Sequence, residues 1–63
     1  MRYYINPEIM IGVEALDRFQ LKEIIEVCPA HESLNHEDFT LVSPSRYDDT
    51  VLDLRYEDGR WAQ

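Results

Sequence analysis

The sequence holds one cysteine, Cys28, so no disulfide can close within the chain. Its two glycines, Gly12 and Gly59, stand far apart and make no glycine-rich phosphate loop. No apolar run approaches the roughly 20 residues that cross a bilayer. The opening Met1-Arg2-Tyr3-Tyr4 lacks the charged-then-apolar layout of a secretory signal, so a cytoplasmic location is expected. Base is scarce: six Lys and Arg stand against 13 Asp and Glu, a formal net charge of −7. That sign repels nucleic acid and anionic membrane, and no basic stripe offsets it, so direct binding to either is not expected.

What is present is a chain of 63 residues, 44% apolar, which is too apolar for a disordered acidic tail. Its length fits a single compact domain over 1–63. A domain of this size buries only about 60% of its unfolded surface. Oligomerisation or a partner is a natural source of further buried area. The acid is uneven. Residues 1–30 carry five acids and three bases, and residues 31–63 carry eight acids and three bases. Asp48-Asp49 and Glu57-Asp58 fall at expected turns or loop edges, where Asp also serves local backbone N–H groups.

Tyr3, Tyr4 and Ile5 make residues 2–5 β-prone, and this segment is expected to join a sheet edge. Asn6-Pro7-Glu8 has the grammar of a helix start, and Gly12 that of a stop, which favours a short helix over 7–11 against a strand over 9–13. The clearest element begins at Asp17. Gln20 completes a capping box, Leu16 and Leu21 have staple spacing, and Leu21, Ile24, Ile25 and Cys28 recur at helical intervals before Pro29. A helix over 18–28 follows. Asn35 and Asp38 suit one capped turn. Residues 39–43 and 50–56 read as strands, with 43–49 as a loop between them. Glu57-Asp58-Gly59 reads as a hairpin turn into a strand over 60–63.

The fold class expected is therefore α+β: one main helix packed on a short antiparallel β-meander. The expected core is Leu16, Leu21, Ile24, Ile25, Cys28, Phe39, Leu41, Leu52, Leu54 and Tyr56. Val51, Asp53 and Arg55 alternate away from it, onto the sheet face opposite the helix.

Cys28, His31 and His36, with Glu32 or Asp38, form the one metal-like set, but Cys28 lies on the apolar helical stripe, where it acts as a small hydrophobe. The C-terminal end of a helix also disfavours a thiolate nucleophile. No catalytic residues, metal or cofactor are expected. Phe19 lies off the helical stripe and is either covered by residues 9–13 or exposed as an interface anchor.

The reading that remains is a non-catalytic protein-binding module whose partner is a larger protein with a basic surface. The expected contact surface is Asp48, Asp49, Asp53, Glu57 and Asp58, with Tyr47, Trp61 and Phe19 as aromatic anchors. Carboxylates spaced along a strand can stand in for phosphate charges, so a nucleic-acid mimic blocking a nucleic-acid-binding complex is one form of this reading. In size, charge and compactness the chain is similar to small phage-encoded inhibitors, anti-CRISPR proteins among them. The alternative is a structural or accessory subunit, or a homodimer or larger homo-oligomer, joined through an apolar interface.

Overall fold

Alternation along the first fifteen residues sets the sheet. Tyr4, Ile11, Val13 and Ala15 are buried on one face, while Tyr3, Gly12 and Glu14 occupy the intervening positions. The computed structural model describes residues 1–27 and 34–63, with Val27 described in its backbone only. Strand β1 (Arg2–Asn6) turns through residues 7–10 into β2 (Ile11–Ala15), and helix α1 (Arg18–Val27) follows. A 3-10 turn (His36–Asp38) leads to β3 (Thr40–Val42), helix α2 (Pro44–Asp49), β4 (Leu54–Glu57) and β5 (Arg60–Ala62).

The five strands among the described residues form one sheet in the order β3-β1-β2-β4-β5. β2 and β4 pair in parallel, and the other three pairings are antiparallel. Register places Tyr4 opposite Val13 and Leu41, and Val13 opposite Tyr56. Leu21, Ile24 and Ile25 of α1 pack on this face with Phe39, and Leu34, Leu54, Tyr56 and Trp61 close the margins. Tyr47 of α2 packs on the opposite face, against Tyr3 and Gly12. The two crossovers, β2 to β3 and β3 to β4, run across the sheet in opposite directions. A uniform handedness for such connections requires their helices on opposite faces, as found.

The chain is α+β with one main helix, and its sheet differs from the meander expected. β3 lies at the far edge from β4 and β5, because the 40–42 strand adds to β1. β1 is consequently interior, with ladder partners on both sides, rather than an edge. Residues 7–11 are not a helix: the Asn6 side chain accepts from Glu8 N at 3.2 Å, closing a turn that lets Ile11 and Val13 reach the core. Residues 43–49 are not a loop. Ser43 Oγ accepts from Arg46 N at 3.2 Å, Pro44 takes the first helical position, and α2 forms.

This capped helix shortens the strand expected over 50–56. Thr50 caps α2 through its N–H and hydroxyl, both donating to the Arg46 carbonyl, so β4 starts only at Leu54. The core loses Leu16 and Leu41, which are 62% and 48% exposed, and gains Tyr4, Ile5, Ile11, Val13, Ala15 and Tyr47. α1 follows the expected helix through Val27, and Cys28, its expected last residue, and Pro29 lie outside the described residues.

Candidate functional site

Each expected contact residue can be placed from its element. Asp48 and Asp49 are exposed on the last turn of α2, and Asp53 is exposed just before β4. Glu57 ends β4 and Asp58 opens the β4–β5 turn, where Asp58 at φ 55 and Gly59 at φ 81 adopt the left-handed pair of a two-residue hairpin. Asp53 and Glu57 are four residue steps apart along the chain, about 13 Å at the usual strand rise. The five acids are therefore two groups, one at each end of β4.

The first group gathers more around it. Asp53 N donates to the Met10 carbonyl at 2.8 Å, and Leu54 N donates to the same oxygen. These bonds set the 7–10 turn, with exposed Glu8 and Ile9, beside the 50–53 segment. Val51 there is 76% exposed. Glu8, Asp53 and the two acids of α2 are thus exposed on neighbouring segments at this end of the sheet, with the exposed aliphatic side chains of Ile9 and Val51. Glu8 is absent from the expected surface because Asn6-Pro7-Glu8 reads in sequence as a helix start, and only its place in the turn between β1 and β2 brings it here.

The second group sits at the other end, beside the start of α1. Met1, Glu14, Gln20, Ile24, Asp58 and Gly59 line a shallow hollow there. Met1 and Leu16 are each 62% exposed nearby. Asp17 Oδ1 accepts from Gln20 N at 2.9 Å, which starts α1, and the Gln20 side-chain oxygen accepts from Leu16 N. Capping holds the chain so that Phe19 projects from the second helical position, 85% exposed. Residues 9–13 do not cover it.

Tyr47 is not a surface anchor. It is fully buried, and it is the only buried residue of α2. Its ring lies 4.8 Å from that of Tyr3, and the Arg55 guanidinium stands 4.6 Å over it. The sheet face expected to be open is therefore covered by α2, with Arg55 beneath rather than in solvent. Among the described residues no group meets the buried Tyr47 hydroxyl at good hydrogen-bond geometry, though Arg55 lies near enough to act on it. Burial pushes it up to about 12, Glu57 adds to the rise, and Arg55 pulls against it. Trp61 is half-buried on the α1 face, edge-on to Tyr56 at 5.1 Å, across the sheet from α2.

The few bases are distributed with consequence. Arg18 donates to the carbonyls of His36 and Phe39 and lies over the Tyr4 ring. Arg55 donates to the Thr50 carbonyl. These two cations tie the fold together, Arg60 is registered opposite Glu57, and Arg2 and Arg46 line hollows beside β3. Among the described residues no three His, Cys, Asp or Glu side chains assemble as a metal-ligating group. Of the metal-like set, Cys28, His31 and Glu32 lie outside the described residues.

No helix among the described residues is long and apolar enough to cross a membrane. Comparison with protein-family models, with curated proteins and with solved structures finds no match.

Proposed function

We propose that the chain is a non-catalytic protein-binding module that docks an acidic surface onto a basic partner protein. The surface centres on Asp48, Asp49 and Asp53, with Glu8 beside them and Val51 as the apolar contact in place of Tyr47. The observation that carries this reading is the exposure of four carboxylates on the last turn of α2, the segment before β4 and the 7–10 turn bonded to it, while Arg18 and Arg55 are engaged with carbonyls and rings. Exposed charges of this kind chiefly speed association, and desolvated contacts hold the complex. A partner whose own ligand is nucleic acid would meet these carboxylates in place of phosphates. The experiment is a competition. The immobilised chain is loaded with proteins from a cell extract and then challenged with duplex DNA. Release of a retained species by DNA supports mimicry. Retention that DNA leaves unchanged limits the reading to a basic protein surface of another kind.

A second reading rests on Phe19, Leu16 and Met1, all strongly exposed near the start of α1. They would serve an accessory subunit or a homo-oligomer through apolar contact. Such an interface tolerates salt, whereas one made by exposed charge weakens with it.

A further inference from the structure

β3 is an edge strand of three residues, and among the described residues nothing pairs with its outer side. Such an edge offers a row of backbone donors and acceptors to an incoming strand. Two shallow hollows follow one another along it. One, of about 440 Å³, runs toward Arg2 and Tyr3, and the other, of about 390 Å³, runs toward Ile5 and Arg46. They share Leu41, Val42 and Ser43, and Leu41 is 48% exposed. No carboxylate lines either one, whereas each holds an arginine. In a chain of net charge −7 this is a local reversal of sign.

We propose that the outer edge of β3 takes up an extended acidic segment of a partner protein by strand addition. Backbone pairing to residues 40–42 would hold it, and its alternate side chains, about 6.7 Å apart, would enter the two hollows. Carboxylates on that segment would meet Arg2 and Arg46. Acids beyond roughly 8 Å are screened at physiological salt, and the nearest opposing carboxylate on α2 is Asp49, one helical turn after Arg46. A second copy of the chain is the poorer occupant, because pairing β3 with β3 would bring the arginines of both copies together.

The test uses the full chain and two capped hexapeptides, one alternating glutamate with valine and one alternating lysine with valine. Binding is followed by amide chemical shifts. The glutamate peptide should bind at least tenfold more tightly, with the largest shifts at Thr40, Leu41 and Val42. Combined Arg2→Glu and Arg46→Glu should reverse the preference with the far-ultraviolet dichroism unchanged. Should that variant misfold, combined Arg2→Gln and Arg46→Gln should still abolish the preference. Equal affinity for the two peptides, no binding at millimolar concentration, shifts centred elsewhere, or a dimer through β3 in sedimentation would each overturn the proposal. Its failure would not touch the acidic patch, because neither Asp53 nor Val51 lines these hollows.

Discussion

Tyr47 lies so close to Gly12 that a Cβ on the glycine would stand 2.7 Å from Tyr47 Cε1 and 2.6 Å from Leu52 Cδ1. The absent side chain is what lets α2 lie flat on the sheet. Gly12 does not serve as a helix stop. Gly12→Ala should destabilise the fold by about 1–3 kcal/mol, the usual cost of overpacking. Chemical denaturation measures it, and Tyr47→Leu in the same background should recover part of the loss. Additive losses would show that the two side chains do not compete for space.

Tyr47→Phe removes a buried hydroxyl that has no hydrogen-bond partner of good geometry among the described residues. It should be neutral or stabilising by about 1 kcal/mol, because an unsatisfied buried polar group is a cost. Tyr47→Ala, which empties the site beneath α2, should cost about 3–5 kcal/mol by analogy with other aromatic truncations.

The same hydroxyl makes stability depend on alkaline pH. Its proton is held to about 12 in the folded chain, against 10.0 for an ordinary tyrosine. Between these values the unfolded chain releases the proton while the folded chain keeps it, so unfolding is favoured as pH rises. The contribution is whole below pH 10 and is lost toward pH 12. Denaturation of the parent and of Tyr47→Phe across this window should show the parent losing more stability. Parallel curves would mean that the hydroxyl ionises normally.

Asp17→Ala should cost about 1 kcal/mol, typical of a lost N-cap. The bonds at stake are the one from Gln20 N to the Asp17 carboxylate and the matching one from Leu16 N to the Gln20 side chain. A urea titration decides it, and an unchanged midpoint would mean that these bonds add nothing net.

The start of α1 was legible because capping and helical spacing agreed at Asp17, Gln20, Leu21 and Ile24. The final hairpin was legible because Asp58-Gly59 is a turn by local conformation alone. Asn6-Pro7 and Ser43-Pro44 carry the same start signal, yet only the second opens a helix. The difference lies in the following residues: Ile11 and Val13 gain full burial as a strand. Placement of β3 beside β1, and of Tyr47 under α2, depends on long-range pairing that no short window contains. For the candidate surface, exposure of Asp48, Asp49 and Asp53 followed from their type. The division of the acids into two groups followed only from the length and direction of β4.

The most direct measurement is capture by the immobilised chain across a salt gradient. It compares the parent with the combined Asp48→Lys, Asp49→Lys and Asp53→Lys variant and with Phe19→Ala. Single reversals are too weak, since one exposed charge pair contributes only about 0–1 kcal/mol. The acidic-surface reading predicts a partner that the triple reversal loses, that Phe19→Ala retains, and that elutes as salt rises, all variants keeping their circular dichroism. A partner that the triple reversal retains, that Phe19→Ala loses, and that resists salt would contradict it and assign the interface to the exposed start of α1.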